Sequence, residues 1–328
     1  MSSSSWPSGI NARRALRATR KDIGLAVESL RRGGLVAFPT ETVYGLGADA
    51  SNASAVRRLY AVKRRPADHP VIVHFDCAAR AFTWAREVPE AAARLAKKFW
   101  PGPLTLVLKR SPLAHDFVTG GQDGIGVRVP GHPVAHELLA AFGGGIAAPS
   151  ANRFGLVSPT TAAHVREDLG ADVDLVLEGG PSDVGIESTI VDLSSGRPAV
   201  LRPGKITAAE IAAITGPLAQ KRADSPRHSG GLERHYAPRT PAILVATQDL
   251  DREIARRKEK VAVLAFSRPD ERVDFWLRMP RDAGAYANKL YGALRELDTA
   301  GCEAILIEAP PQDAAWSAVL DRLRRACG

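Results

Sequence analysis

Several polar residues of this sequence are grouped in ways that suit one task, the holding of a polyanion. Lys63, Arg64 and Arg65 are consecutive, and Pro66 and Pro70 stiffen the turn that follows. Arginine presents a planar fork matched to phosphate and carboxylate, and lysine neutralises phosphate as a point charge. A solvated basic turn is the alternative for this cluster taken alone. Upstream, PTETVYGLG at 39–47 offers the hydroxyls of Thr40, Thr42 and Tyr44, and reads as a loop in which Gly45 and Gly47 permit turns and close ligand approach. Arg128 stands in the strand-like run Gly126–Pro130, where a buried cation needs a partner, either an internal ion pair or an anionic ligand. Ser150 and Asn152 follow a short apolar run, with Ser158 and Thr160 close behind, on a background of small residues that lets backbone N–H groups reach phosphates. Ser188 leads into one strand candidate and Arg202 ends another. Cations and hydroxyls at so many strand ends fit a polyanionic ligand better than a metal or a hydride cofactor.

What is missing narrows the chemistry further. The sequence has no GxxxxGK[ST] loop, no GxGxxG opening a helix after the first strand, and no GxSxG elbow. His132 and His136 are spaced i, i+4 but lack the glutamate of a zincin motif and an obvious third ligand. His132 is read as a helix start and His136 as a packing residue. Cys77, Cys302 and Cys327 lie far apart and form no CxxC pair, which points to reduced cytosolic thiols rather than zinc or a redox motif.

The elements that must position these groups follow from local signals. Thr19-x-x-Asp22 reads as a capping box opening a helix that ends near Gly33-Gly34. Strands are expected at 35–38, 71–75, 104–108, 125–129, 146–148, 175–177, 189–193 and 199–201. Helices are expected at 53–60, at 89–99 with Pro89 in the first turn, at 133–142 and at 161–169. Thr207-x-x-Glu210 caps a further helix running to Gly216. The imperfect alternation implies an α/β fold with a mixed, twisted sheet and flanking helices, not a strict βαβ repeat. The chain is read as a first domain over 18–216, a Pro/Gly/Ser/Arg-rich linker over 217–241, and a smaller Rossmann-like α/β domain over 242–328. The last has strands at 242–245, 261–265 and 304–308 and helices near 250–258, 281–300 and 316–326.

Bulk properties agree. A chain of 328 residues suggests two domains, and 45% hydrophobic with 24% charged residues is ordinary for a soluble α/β protein. No apolar run approaches the ~20 residues that span a bilayer. The formal charge of +8 favours anionic partners such as nucleotides or RNA. The first twenty residues are Ser- and Arg-rich, like a transit peptide, but Pro7 and Gly9 break any amphipathic helix, so a frayed cytoplasmic N-terminus is the simpler reading.

Taken together, the motifs resemble the YrdC-like threonylcarbamoyl-AMP synthase family. The residues that carry the likeness are FPTETVYGLGADA (38–50), KRRPADHPVIVHF (63–75), FWPGPLTLVL (99–108), GVRVPGHP (126–133), APSAN (148–152), ESTIVDL (187–193) and LRPG (201–204). HYAPRTP in the linker and the α/β tail look like the longer, two-domain branch. The resemblance implies a nucleotidyltransferase that converts L-threonine, bicarbonate and ATP into threonylcarbamoyl-AMP and pyrophosphate, with Mg2+ riding on the nucleotide. It implies supply of the product to the machinery that forms N6-threonylcarbamoyladenosine at position 37 of tRNA, in the cytoplasm. Carried over by position, Thr42, His74, Arg128 and Ser188 look like the threonine set. Lys63 and Arg65 look like the catalytic pair. Arg65, His69, Gly124, Ser150, Asn152, Ser158, Arg202 and Tyr236 look like the ATP side. His69 stands where the family usually has Asn, Gly124 where a hydroxyl is common, and SPRHSGGLERHYAP departs from the usual linker sequence. His235 and Tyr236 are expected to fold over the nucleotide. An RNA-binding module with weak RNA affinity and a carbamoyltransferase using a carbamoyl-adenylate are the alternatives. Against the first, aromatic residues, the stacking platforms of RNA readers, make up only 6%; against the second stands the HYAP linker.

Overall fold

A computed structural model describes residues 18–220 and 225–328; the N-terminal reading therefore lies outside the described residues. Helix α1 (Arg20–Arg31) opens on the expected capping box, Thr19 with Asp22. There follow β1 (Val36–Phe38), β2 (Gly45–Asp49), α2 (Ala53–Lys63), β3 (Val73–His74), α3 (Ala78–Thr83), α4 (Glu90–Phe99), β4 (Leu104–Lys109), α5 (Asp116–Thr119) and β5 (Gly124–Arg128). Then come α6 (Pro133–Phe142), β6 (Ile146–Ala147), α7 (Ala162–Leu169), β7 (Leu175–Val176), β8 (Thr189–Asp192), β9 (Ala199–Arg202) and α8 (Ala208–Thr215). Thr207 and Glu210 form the second capping box. Pro89 caps α4 from outside rather than sitting in its first turn.

Nine strands form one mixed sheet in the order β7-β1-β2-β6-β3-β5-β4-β8-β9. Three pairs are parallel (β1 with β7, β3 with β5, β4 with β8) and the other five antiparallel. Helices α1 and α6 bury Ile23, Leu30, Val134 and Leu138 against Val36, Phe38 and Ile146. A larger core holds Leu59 of α2, Leu95 of α4 and Val165 of α7 with Leu46, Val73 and Leu106.

Other details also differ from the sequence reading. Gly45–Asp49 is a strand, not a loop, paired with both β1 and β6. Its glycines reflect crowding: a Cβ at Gly47 would lie 2.9 Å from both Phe38 and Ile146. His136 is exposed, off the Val134–Ala135–Leu138–Leu139 stripe by which α6 packs.

The remaining elements are β10 (Ala242–Val245), α9 (Leu250–Ala255), β11 (Val261–Ala265), β12 (Phe275–Arg278), α10 (Ala283–Asp298), β13 (Ala304–Glu308) and α11 (Ser317–Cys327). Their strands form a separate, wholly parallel sheet, β10-β13-β11-β12. Helix α9 covers one face and α10 and α11 the other, in the Rossmann-like manner. The second face is continuous with the first unit, because Val157, Val184, Ile186 and Tyr236 join its core. At this seam Gly185 has φ +81°, and a Cβ there would lie 2.4 Å from Asn288 Cα. Asn288 donates to the carbonyls of Ser182 and Asp183, both at 2.9 Å. Between α8 and β10 the described residues form no helix or strand beyond a bridge from Ala237 to Leu156.

Candidate active site

The middle of the large sheet builds a cleft. Parallel strands β3 and β5 pair His74 directly with Arg128. Gly45 at the head of β2 bridges to Ser150 beyond β6. The ends of β8 and β9 add Ser188 and Arg202, and residues 229–236 close over the top. The resulting cavity encloses about 520 Å3, counting the space open to solvent at its mouth. Thr40, Thr42, Arg65, His74, Arg128, Ser150, Ser188, Arg202, Ser229, Gly230, His235 and Tyr236 contribute to its wall.

Charge is the cavity's main property. Arg65, Arg128 and Arg202 are all buried. Only Arg128 has a counter-ion: its Nη2 donates to Glu41 Oε1 at 2.7 Å, its Nη1 to Thr42 Oγ1 at 3.0 Å, and its Nε to Gly102 O at 3.3 Å. Both earlier alternatives for Arg128, an ion pair and a place in a pocket, therefore hold at once. Arg65 donates from Nη2 to Pro70 O at 2.7 Å and lies over the Phe154 ring. Arg202 donates to Ser188 O and Oγ, both at 3.1 Å, and to Ser229 O at 3.0 Å. Among the described residues no carboxylate lies within ion-pair distance of either. Buried cations without counter-charge are costly unless a ligand supplies it, and burial already pushes the Arg65 guanidinium down.

Around Arg128 the other groups are neutral. Thr40 knits the turn by donating to Val43 O at 2.6 Å and accepting from the backbone N of Thr42 and Val43. Burial, seconded by the Arg128 charge, pushes His74 down to about 3, so its ring is uncharged at neutral pH. Its buried Nδ1 has no protein partner and remains available to a ligand. Ser188 Oγ lies 2.8 Å from Thr105 Oγ1.

The four expected threonine residues, Thr42, His74, Arg128 and Ser188, all line the cavity, as do Arg65, Ser150, Arg202 and Tyr236. The others stand behind it. Lys63 is buried and donates to the carbonyls of Ser150 and Asn152, each at 2.5 Å, bracing the APSAN turn. Burial and then Arg65 lower its ammonium pKa well below the usual value. Asn152 donates to Arg153 O and Leu156 O, both at 2.8 Å. Ser158 donates to Glu187 at 2.6 Å. His69 packs edge-on against Phe154. Gly124 lines an adjoining groove, between Ile72, Val107 and Ile190 on one side and Pro226–Ser229 on the other.

Sequence reasoning missed the environment of Glu187, which accepts from Tyr291 at 2.9 Å and from Arg322 at 2.7 Å. Arg322 did leave a trace: it falls on the apolar side of α11, at helical spacing from Val319 and Ala326. Ser229 and Gly230 left none, because no periodicity marks their segment.

Residues 28–204 match a family model described as telomere recombination, that of Sua5, YciO and YrdC; residues 206–328 match threonylcarbamoyl-AMP synthase, C-terminal domain. A threonylcarbamoyl-AMP synthase of Pyrococcus abyssi is 40% identical over 321 residues, covering 93% of this chain and 94% of that protein. One from Bacillus subtilis is 37% identical, covering 93% of each chain. The crystal structure of P. abyssi Sua5 complexed with L-threonine superposes with a TM-score of 0.87 at 38% identity, over 93% of this chain and 94% of that one.

Proposed function

The chain belongs to the Sua5–YrdC family of threonylcarbamoyl-AMP synthases, and on that premise we infer that it is the enzyme joining L-threonine to ATP as threonylcarbamoyl-AMP. The observation that carries this reading is the cavity with three buried arginines, two of them lacking a carboxylate, beside an uncharged histidine and paired hydroxyls. Glu187 also lines this wall, but its carboxylate is paired with Arg322; a polyphosphate and an amino acid would supply the further anionic groups that Arg65 and Arg202 lack.

We assign Arg128 and Thr42 to the threonine carboxylate, and His74 and Ser188 to its ammonium and hydroxyl. Arg65, Ser150, Arg202 and Tyr236 face the nucleotide. Lys63, Asn152 and Ser158 act from behind by fixing the turns that face it; His69 packs on the Phe154 ring that also lies under Arg65, and Gly124 lines the groove that continues from the cavity. Bicarbonate is the proposed third substrate. The amine of threonine bonds to its carbon with loss of water, giving a carbamate. A carbamate oxygen then attacks the α-phosphorus as the bond from that phosphorus to the bridging oxygen breaks, and pyrophosphate leaves with that electron pair. Because ATP brings the leaving group, the protein's work is alignment and charge neutralisation.

Magnesium enters with ATP as part of the substrate. No cluster of three or more metal-ligating side chains occurs among the described residues; Glu187, which lines the cavity, and Glu41, which pairs with Arg128 of its wall, are both committed to arginines. We propose that residues 18–216 form the catalytic unit and 217–241 the linker to a C-terminal unit at 242–328. The product would pass to the threonylcarbamoyl-transfer machinery of tRNA modification. No described helix is long and apolar enough to cross a membrane, and a cytoplasmic setting suits this role. The deciding experiment incubates the protein with ATP, threonine and labelled bicarbonate. Threonine-dependent pyrophosphate release with a labelled adenylate is expected, and no release at saturating threonine would reject the assignment.

A further inference from the structure

Glu187 immediately precedes Ser188, and its carboxylate is wholly committed. Oε1 accepts from Ser158 at 2.6 Å, and Oε2 accepts from the Tyr291 hydroxyl at 2.9 Å and from Arg322 Nε at 2.7 Å. Both Oε2 partners come from the second unit, on α10 and α11. Arg322 is 0% exposed. Its Nη1 donates to Pro203 O at 3.1 Å and to Asp321 at 2.6 Å, and its plane lies over Tyr236 with 5.2 Å to the ring centroid. It therefore touches the residue before Ser188 and the residue after Arg202 without lining the cavity.

Two cations bear on Glu187. Burial alone would raise its carboxyl; Arg322 first and Arg202 second outweigh that and hold it at about 2. The carboxylate is turned to Arg322, and Arg202 spends its donors on Ser188, Ser229 and the Tyr236 hydroxyl. A desolvated carboxylate deprived of one partner takes the next cation in reach.

Within the reaction assigned above, we propose that Arg322 is a positioning residue: it holds Glu187 off Arg202, so that Arg202 stays an unpaired cation for the phosphates of ATP. The second unit thus sets the charge of a site it does not line. Without Arg322, Glu187 would turn to Arg202, cancel its charge and compete with the nucleotide.

The test titrates the full chain calorimetrically with Mg–ATP and separately with L-threonine, and follows the thermal midpoint. Arg322→Met is expected to weaken ATP by about 10–100-fold while leaving threonine within about threefold, the range for unmasking a buried charge. Adding Glu187→Gln removes the competing charge and is expected to return ATP to within about threefold of the native chain. An unchanged ATP affinity in Arg322→Met overturns the proposal. So does a double variant as weak as the single one, or parallel losses of ATP and threonine that track the thermal midpoint. If Arg322→Met does not fold, the double variant, with no buried unpaired charge, decides alone: ATP weaker by more than about tenfold, or failure to fold, rejects the proposal. Should the native chain bind ATP but release no pyrophosphate, the assigned reaction fails while the ATP titrations still judge the role of Arg322.

Discussion

The two ends of the cavity are built differently. At the end assigned to threonine, His74 and Arg128 project from adjacent parallel strands in register, and the cation is already paired with Glu41. At the nucleotide end, Arg65 lies two residues past the end of a helix, Arg202 ends a strand, and Ser229, Gly230, His235 and Tyr236 arrive on a segment without regular structure. The first end is rigid and nearly neutral; the second is assembled from several pieces and carries excess positive charge. A small amino acid needs fixed hydrogen-bond geometry, whereas a polyphosphate rewards charge and tolerates looser placement.

The sharpest way to break this contrast is Arg128→Ala. It strands Glu41 beside the site, and threonine affinity should fall about 100-fold or more while ATP changes less than about fivefold, the usual scale for truncating a buried ion pair. Equal losses in a titration of both ligands would abolish the division. Next is Arg65→Ala, expected to weaken ATP by about 10–100-fold with little effect on threonine, as for a charge-assisted phosphate contact. A threonine loss of the same size would show the ends to be one site.

A smaller effect sharpens the contrast at the covering segment. Gly230 has φ +76°, and a Cβ there would lie 1.9 Å from the Tyr236 hydroxyl. Gly230→Ala should disturb that segment alone and weaken ATP by about 3–10-fold, on the scale of one strained backbone position. Unchanged ATP affinity would show that this packing does not matter to the nucleotide.

The last effect is in pH, and is read in stability rather than in affinity. His74 and His235, one at each end, are held near 3 mainly by burial. A histidine with a depressed folded pKa contributes nothing adverse above its unfolded value of about 6.5, and loses stability as pH falls below it, by about 1.4 kcal/mol per unit. Glu187, held at about 2, adds a loss of the same sign only below about 4.5. Between pH 6.5 and 4.5 the histidines should therefore dominate, and His74→Gln should flatten the dependence of the thermal midpoint on pH. An undiminished slope would place the acid-sensitive group elsewhere.

What could be read in the sequence was local. The capping boxes at Thr19 and Thr207 and the helix Pro133–Phe142 follow from side chains three or four residues apart, and the structure keeps them. Strand β2 could not be read, because Gly47 is explained only by Phe38 and Ile146 closing on it from other strands. Strand β12 lies at a sheet edge and leaves Phe275 and Arg278 exposed, so it lacks the buried apolar run that marked its neighbours. In the site, residues on strands or at their ends, such as His74, Arg128, Ser188 and Arg202, were readable from type and setting. That Lys63, Asn152 and Ser158 brace rather than line the cavity depends on the direction of a side chain, which spacing does not encode. Arg322 and Glu187 meet across 135 residues, beyond any local signal.

That separation also has a meaning in time. At a synthesis rate of about 5–20 residues per second, Glu187 leaves the ribosome roughly 7–27 s before Arg322. The large sheet can form in that interval, but its buried carboxylate must wait for α11 of the second unit. A nascent first unit would thus be a folded body with its ATP end still uncorrected, and competence would arrive only with the synthesis of the second.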